Sequence, residues 1–198
     1  DAFLVKLDSS GNTVWTRHWG GSANDYLYDV AVDSSDNVVA AGMHNNSAGD
    51  VNYHPIAGGC TSSCGETLVT ANGGYDAYIS RIGADGTLDW AGFVGSAFND
   101  RINAITTDGS DNIYATGYYR GSGTPDFDPG TGSSITLPTM SQFDAYVIKV
   151  GSDGNGVWAK AFSTTSGNSI DSGEAVAVDS SGNVYVVGYF RDTVDFDP

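Results

Sequence analysis

Apolar and polar residues alternate in short runs along the chain. In the first run, Ala2 to Leu7, the side chains of Phe3, Val5 and Leu7 would share one face. Alternation with a period of two is typical of a β-strand that buries one face. A turn segment rich in Asp, Ser, Gly and Asn follows, and a second alternating run then carries Trp15. No stretch has the length and the 3.6-residue period of an amphipathic helix, so the pattern predicts an all-β protein.

The same runs recur three times at fixed offsets. Each repeat opens on an Asp and has a Trp 14 positions later; further on come an Asp, an Asn four positions after it, and a Gly five positions after that Asn. Fixed offsets of this kind indicate a repeat protein. The marker residues are Asp1, Asp76 and Asp144; Trp15, Trp90 and Trp158; Asp33, Asp108 and Asp179; Asn37, Asn112 and Asn183; and Gly42, Gly117 and Gly188. They divide the chain into repeat 1 (residues 1–75), repeat 2 (76–143) and repeat 3 (144–198).

Each repeat is predicted to contain four antiparallel strands joined by tight turns. The third strand, Tyr28 to Asp33 in repeat 1, has apolar residues on one face and small residues on the other, which predicts that both faces are covered. The fourth strand, Val184 to Gly188 in repeat 3, contains the repeated glycine, which predicts close contact with a neighbouring backbone or a bend. Four short strands per repeat are typical of β-propeller blades, so we predict a propeller-type fold.

The repeated sequences DAFLVKLDSSGNTVW and GGSANDYLYDVAVDSSDNVVAAG resemble the bacterial SBBP-type β-propeller repeat. The VDFDP element near the end of repeat 3 looks like variants found in large secreted bacterial surface proteins. The resemblance covers essentially the whole chain and implies an extracellular propeller or propeller-like array. It implies neither catalytic residues nor a defined ligand. Repeat 1 departs from the pattern after Gly42, and its longer loop holds Cys60 and Cys64.

Three repeats are too few to close a propeller, which generally needs four or more blades. The pattern also places the last two strands of one blade at the start of the chain and the first two strands of another at its end. We therefore expect further repeats of a longer chain, or a second copy of this chain, to complete these half-blades. Head-to-tail self-association of this kind gives rings or filaments. The first residue is Asp1 and no signal peptide is visible, so we interpret the sequence as a processed or excerpted segment.

The charge of the chain argues against several classes of partner. The sequence has 24 acidic and eight basic residues, a net charge of -16. Nucleic acid and anionic membranes are bound through concentrated Lys and Arg, so we expect neither. No run approaches the ~20 apolar residues of a membrane span, so we expect no membrane insertion. A predicted Cys60–Cys64 disulfide favours an oxidising, extracellular compartment, and a zinc site that includes His54 is the alternative.

Two pairs of carboxylates are the candidate metal ligands. In repeats 2 and 3, two Asp residues lie two positions apart and an Arg precedes them. These residues are Asp126 and Asp128 with Arg120, and Asp195 and Asp197 with Arg191. Residues two apart on a strand share a face, so each pair concentrates negative charge. In repeat 1 the Arg and both Asp positions are replaced together, by Asn45, Asn52 and His54. This joint loss favours structural ion pairs with arginine, and calcium bound by the carboxylates is the alternative.

Other repeated residues are assigned to the structure of the blades. The basic residues Lys6, Arg81 and Lys149 share one repeated position, which predicts structural ion pairs. Four aromatic residues near the ends of the fourth strands are expected to pack in the core or at its rim, with a carbohydrate-binding surface as the alternative. They are Tyr118, Tyr119, Tyr189 and Phe190. No serine lies in a G-x-S-x-G context with an assignable His and Asp partner.

The sequence therefore favours a secreted, non-enzymatic β-propeller repeat protein that needs no cofactor. Its expected role is structural, adhesive or in assembly, at a cell surface or in an extracellular filament. One alternative is a carbohydrate-binding module that recognises extracellular polysaccharide with support from calcium. The other is a fragment of a larger propeller enzyme, because a fold of this type hosts many functions.

Overall fold

The computed structural model describes residues 1–20, 24–45, 51–55, 67–68, 74–121, 124–138, 142–164 and 170–196. All regular secondary structure within these residues is β-strand, which confirms the predicted all-β class. The strands are β1 (Ala2–Leu7), β2 (Thr13–Gly20), β3 (Tyr26–Val32), β4 (Val38–Asn45), β5 (Val51–Pro55), β6 (Thr67–Leu68), β7 (Tyr75–Ile82), β8 (Leu88–Val94), β9 (Arg101–Thr107), β10 (Ile113–Arg120), β11 (Phe143–Val150), β12 (Gly156–Thr164), β13 (Ser172–Val178), β14 (Val184–Tyr189) and β15 (Val194–Asp195). The part of the chain that the structure describes includes no helix suited to crossing a membrane.

The strands form propeller-like blades that are not closed into a ring. Two blades are complete and antiparallel, β3-β4-β7-β8 and β9-β10-β11-β12, and β15 extends the sheet of the second blade beside β12. The other two sheets contain half-blades, β1-β2 and β13-β14, and the first of these is extended by β5 and β6. Each complete blade therefore takes its first two strands from one sequence repeat and its last two from the next. The predicted four-stranded antiparallel blade is confirmed.

Each hairpin turn is closed by the side chain of its first Asp. In the turn between β3 and β4, Asp33 Oδ1 accepts hydrogen bonds from the backbone N–H groups of Ser35 and Asn37, both at 2.9 Å. The fourth residue of the turn adopts the left-handed region, with φ of 63° at Asp36 and 82° at Gly11 in the corresponding turn. Asp, Asn and Gly suit these roles because they tolerate positive φ or bond the local backbone.

The third strand of each repeat differs from its predicted form in two ways. It begins two residues early, at Tyr26 in β3, and a bulge lies between Leu27 and Asp29. The prediction that both faces are covered holds for β9, which packs between β3 and β13 and buries Ile102. It is wrong for β3, where Val30 is 50% exposed. The coverage depends on the neighbouring blade, which the strand's own residues do not encode.

The repeated glycine of the fourth strand lies against the backbone of the third, as predicted. A Cβ atom on Gly117 would lie 1.9 Å from the carbonyl oxygen of Arg101, and one on Gly42 would lie 1.9 Å from that of Tyr26. The strand register shifts at Gly117, where β10 passes a bulge of β9. Only a residue without a side chain fits this approach.

The segment that contains VDFDP is an additional edge strand, which the sequence analysis did not predict. We call residues 51–55, 125–129 and 194–196 the edge elements. Each pairs with the outermost strand of the preceding blade: β5 with β2, Asp126 with Gly95 just after β8, and β15 with β12. Phe127 of the second edge element is fully buried in the main core, where its ring centre lies 5.2 Å from that of Tyr119 and 4.9 Å from that of Tyr146.

Candidate interaction surface

Two of the three repeated tryptophans, Trp15 and Trp90, form a hydrogen bond to the following blade. The indole Nε1–H of Trp15 donates to the carbonyl oxygen of Ala84 at 3.1 Å, and that of Trp90 donates to the carbonyl oxygen of Ser152 at 3.1 Å. Both acceptors lie in the hairpin turn between the last two strands of the following blade. The fixed spacing of tryptophan in the sequence is therefore explained by a contact between blades.

The repeated basic residues form the predicted ion pairs in both complete blades, with the first Asp of a hairpin turn as partner. Arg81 Nη2 lies 2.7 Å from Asp33 Oδ2, and Lys149 Nζ lies 3.8 Å from Asp108 Oδ2. Burial alone would raise the pKa of Asp33, but hydrogen bonds from Asn37 and Arg81 hold the pKa below its usual value. The pair links the turn between the first two strands of a blade to the third strand of that blade.

Three further carboxylates, which the sequence analysis did not single out, hold the loop before the third strand of each repeat against the end of the fourth strand. Asp25, Asp100 and Asp171 each accept a hydrogen bond from the backbone N–H of the residue at or just after the end of the fourth strand. Asp100 also accepts the N–H of Ser96 at 2.5 Å and is fully buried. Its recurrence directly before the third strand in all three repeats was the available signal.

Stability should depend on pH through Asp100. Burial raises its pKa from 3.8 to about 7 against the opposing hydrogen bonds, and the charge of Asp76 adds to the rise. The native state then holds a proton that the unfolded chain has lost, so this contribution is complete below about pH 4 and disappears as the pH rises to about 7. Relative to Asp100→Asn, the wild type should lose about 2 kcal/mol of unfolding free energy between about pH 5 and 7. Urea titrations at several pH values measure this difference.

The control for this titration is Asp8→Asn, which removes a turn carboxylate whose pKa is lowered by its hydrogen bond from Asn12. That variant should keep the wild-type slope between about pH 5 and 7, because Asp8 is ionised throughout this window in both states. Equal slopes in the wild type and Asp100→Asn would contradict the assignment of the buried proton to Asp100.

The paired carboxylates of the second edge element bind backbone amides. Asp126 Oδ1 accepts the N–H of Asp128 and of Ile135, both at 3.0 Å. Asp128 Oδ1 accepts the N–H of Gly156 at 2.7 Å, which ties the edge element to β12. Arg120 forms no ion pair among the described residues, so its predicted pairing with Asp126 and Asp128 is wrong.

The guanidinium of Arg120 lies over two aromatic rings, 5.4 Å from the centre of Phe98 and 5.8 Å from that of Phe143. Because backbone N–H groups already compensate the carboxylates, the cation is free to stack on aromatic faces. In the third edge element, Asp195 lies opposite Ser163 in register. The ion pair predicted between Arg191 and the carboxylates of Asp195 and Asp197 is not tested by this register and stays a prediction.

Several candidate residues lie outside the described part of the chain. Asp197, Cys60 and Cys64 are among them, so the predicted disulfide is not described, and nor is its zinc alternative. Among the described residues, no group of three or more His, Cys, Asp or Glu side chains is placed to hold a metal ion. Calcium at Asp126, Asp128, Asp195 and Asp197 stays a prediction.

The four aromatic residues proposed as a carbohydrate surface do not share one surface. Tyr119 is fully buried and its hydroxyl donates to the carbonyl oxygen of Pro138 at 2.8 Å, so the favoured assignment to core packing holds for this residue and the carbohydrate-surface alternative does not. Tyr118 packs edge-on against Phe143, with ring centres 5.1 Å apart. Tyr189 and Phe190 are half-exposed on the half-blade.

A different aromatic group lies at the start of β3. The rings of Tyr26 and Tyr28 are stacked at 5.9 Å with an angle of 13° between their planes. The guanidinium of Arg101 lies over the ring of Tyr28, 3.7 Å from its centre. We call Tyr26, Tyr28 and Arg101 the tyrosine platform. Stacked rings with a cation beside them can hold a sugar or another flat polar ligand.

The half-blade β13-β14 presents an open apolar surface. A cavity of about 490 Å³ lies beside it. Its lining includes residues of β11, β12, β13, β14 and the third edge element, among them Val147, Phe162, Val187, Tyr189, Phe190 and Phe196. In the described part of the chain, β14 pairs only with β13, so its other edge is open.

Comparison with known proteins identifies the type of repeat. Residues 157–189, which form β12 from its second residue together with β13 and β14, match the family model described as SBBP, a β-propeller repeat. This segment is therefore similar to an SBBP-type repeat, which supports the repeat type. The match joins the outer strand of one blade to the first two strands of the next, so it agrees with the offset between SBBP repeats and blades seen in the fold.

A second comparison covers nearly the whole chain. An uncharacterized WD repeat-containing protein of Acanthamoeba polyphaga mimivirus is 28% identical over 207 residues, which include 96% of this chain and 14% of that protein. The chain therefore spans a small part of this relative's length. Both findings support a repeat protein of the propeller type, while the bacterial origin implied by the SBBP resemblance stays a prediction.

Proposed function

We propose that this protein is a secreted, non-enzymatic propeller repeat protein with a structural, adhesive or assembly role at a cell surface or in an extracellular filament. The observation that supports this role most directly is the use of the repeated polar residues. In each blade they bond the backbone or the neighbouring blade, as Trp15, Asp33 and Asp100 do. Residues that recur for structural reasons favour a module built for stacking side by side.

The inner strands supply further links between blades. The side-chain amide of Asn103 in β9 donates to the carbonyl oxygen of Gly173 in β13 at 2.8 Å. The backbone N–H of Ile105 donates to Asp29 Oδ2 of β3 at 2.9 Å. Adjacent blades are thus joined at both their inner and their outer strands, which supports a structural role.

The distribution of charge supports an extracellular module without a cofactor. Repeated carboxylates such as Asp33, Asp108, Asp126 and Asp128 accept hydrogen bonds from backbone amides or pair with Arg or Lys, which supports a fold that does not rely on a bound cation. The net charge of -16 favours solubility and disfavours binding to nucleic acid or anionic membranes. Partners of this surface are therefore proposed to be further repeats or other copies of the chain.

The tyrosine platform favours a second candidate function, recognition of extracellular polysaccharide. Tyr26 is 41% exposed and stacks on Tyr28, whose ring lies under the guanidinium of Arg101. A sugar ring would stack on the exposed face of Tyr26, and the stack with Tyr28 would hold that ring in place. This candidate uses one end of β3 and does not depend on the blade-to-blade bonds.

One experiment separates the two candidates. The purified chain is applied to a glycan array in buffer with calcium and in buffer with a chelator, and thermal unfolding is followed in both. A structural module is expected to bind no glycan and to unfold at the same temperature in the two buffers. Antibodies against the chain should also label intact source cells without permeabilisation.

The matched variants for the array are Tyr26→Ala, in the tyrosine platform, and Tyr185→Ala, at an exposed tyrosine on β14. Glycan binding by the wild type that is lost only in Tyr26→Ala would establish the carbohydrate candidate and exclude a purely structural role. Hydrolysis of an array glycan would identify a fragment of an enzyme, and stabilisation by calcium would show that a metal site is needed.

A further inference from the structure

Two arginines and two aromatic residues share one face of the second complete blade, β9-β10-β11-β12. Tyr118 and Arg120 lie two positions apart on β10, so their side chains point to the same face. The register places Arg101 of β9 opposite Tyr118. It also places Phe143 of β11 opposite Arg120. Directly opposite residues of antiparallel strands share a face, so the four side chains form one group.

Aromatic contacts extend this group at both ends. The guanidinium of Arg120 lies 5.4 Å from the ring centre of Phe98, in the loop between β8 and β9. The guanidinium of Arg101 lies over Tyr28 of β3, which stacks on Tyr26. We call the whole set the cation-aromatic row: Tyr26, Tyr28, Arg101, Tyr118, Phe143, Arg120 and Phe98. It joins the two complete blades, so it does not depend on the strands at either end of the chain.

Neither arginine of the row forms an ion pair with a described residue. In the same blades, Arg81 and Lys149 pair with turn carboxylates. The carboxyl group nearest to both arginines in the sequence, Asp100, is buried and accepts the backbone N–H groups of Ser96 and Arg120. The row therefore holds two positive charges that no described carboxylate compensates, although the chain as a whole is strongly acidic.

The exposed members of the row fit a sugar polymer that carries anionic groups. Tyr26 and Phe98, at the two ends of the row, are 41% and 40% exposed, and Arg120 is exposed between aromatic rings. A pyranose ring presents an apolar C–H face that packs on an aromatic ring. A carboxylate or sulfate group on the sugar forms charge-assisted hydrogen bonds with a guanidinium, often two in parallel. Acidic polysaccharides combine both features in successive units.

The net charge of -16 does not prevent this interaction, because it is spread over the whole molecule. At physiological ionic strength the Debye length is about 8 Å, so charges farther than this from the row are largely screened. Nucleic acid fits less well, because it carries a phosphate at every nucleotide and is bound through concentrated Lys and Arg. Two arginines suit a polymer whose negative charges are more widely spaced.

We propose that the cation-aromatic row binds an acidic polysaccharide. Tyr26 and Phe98 stack on its sugar rings, Arg120 pairs with a carboxylate or sulfate group, and Arg101 adds its positive charge to the site. The inference rests on the candidate function of polysaccharide recognition and names the class of polysaccharide.

A comparison of charged and uncharged forms of one sugar polymer tests this class. Isothermal titration calorimetry with the purified chain uses oligomers of galacturonic acid and the same oligomers with methyl-esterified carboxyl groups. A chelator in the buffer prevents calcium from bridging protein and ligand. The acid should bind at least about tenfold more tightly than the ester, because the ester keeps the rings and loses the charges. Heparin forms a second arm, and tighter binding of heparin than of the acid would assign the anionic group as sulfate.

Equal affinity for the acid and the ester would overturn the proposal and leave the polysaccharide candidate standing. Binding of neither galacturonate nor heparin would overturn it as well, while the glycan array decides the candidate function separately. A single-stranded oligothymidylate with the same number of units is the competitor from another class of polymer. Tighter binding of this oligonucleotide than of either polysaccharide would overturn the proposal in favour of nucleic acid.

Two substitutions at exposed positions separate the roles within the row. Arg120→Gln should weaken binding of the acid about tenfold and leave binding of the ester unchanged. Phe98→Ala should weaken binding of both forms by the same factor, because it removes a stacking surface and no charge. The matched control is Arg191→Gln, since Arg191 holds the same position of repeat 3, where Ser169 replaces Phe98. Equal losses in Arg120→Gln and Arg191→Gln would show a general effect of charge and would overturn the site.

Discussion

Replacement of Phe127 by alanine is expected to lower the free energy of unfolding by about 3–5 kcal/mol, the usual cost of removing a buried aromatic side chain. Phe127 is fully buried between Tyr119 and Tyr146, and its loss would leave a cavity that these two large rings cannot fill by small movements. Urea unfolding monitored by tryptophan fluorescence measures the change. A loss below about 1 kcal/mol would show that the second edge element is not part of the core.

The matched control is Phe196→Ala, which alters the same position of the third edge element. Phe196 is 61% exposed and should cost less than about 1 kcal/mol at concentrations where the chain is monomeric. The two residues hold the same position of the same motif. The difference between the losses of unfolding free energy in the two variants therefore measures the contribution of the complete blade. Similar costs would mean that the motif acts through local structure alone.

Gly117→Ala should be the second large effect, with a loss of about 3 kcal/mol of unfolding free energy. The new methyl group would lie 1.9 Å from the carbonyl oxygen of Arg101, a backbone atom that is held in the β9-β10 pairing. The strands must separate or the register must shift to relieve the contact, and overpacking of this kind is costly. Thermal and urea unfolding give the size of the loss.

Gly109→Ala provides the control for this substitution. Gly109 lies in the turn before β10, and a Cβ atom there would meet nothing within 4 Å. Alanine should therefore be neutral or stabilise slightly, because it reduces the conformational freedom of the unfolded chain. If both variants lost the same stability, the close approach of β9 and β10 would not be the cause.

Both predictions concern the way in which one repeat depends on another. Phe127 comes from repeat 2 but packs on Tyr146 of repeat 3, and Gly117 of repeat 2 belongs to a blade that repeat 3 completes. Repeat proteins of this kind are stabilised by intrinsic terms and by interfaces between neighbours. A surface that one repeat leaves open is therefore matched to the neighbouring repeat.

Sequence reasoning succeeded where structure is decided within a few residues. The hairpin turns were predicted from Asp, Gly and Asn because these residues bond the local backbone or accept positive φ, and Asp33 and Gly11 show both effects. The four-strand pattern followed from alternation of apolar residues. A close backbone contact at Gly117 was one of the two explanations predicted for a glycine inside a strand, the other being a bend.

It failed where the partner is distant in the sequence. Arg120 was assigned to Asp126 and Asp128 because repeat 1 lacks all three residues together, but the carboxylates bind backbone amides and the guanidinium stacks on Phe98 and Phe143. The edge elements were not recognised as strands because each pairs with the preceding blade. The role of Asp100 was missed because its acceptor geometry depends on Arg120 of the neighbouring strand.

The sequence by itself determined the β class, the repeat, the turns and the positions where only glycine fits, because each of these is fixed by local sterics and short-range hydrogen bonds. Only the tertiary structure decided which equivalent residues are buried. Phe127 and Phe196 share one motif, yet one is in the core and the other faces solvent. The reason is that burial depends on the third strand of the blade, which is β11 for Phe127 and is contributed by no described strand for Phe196.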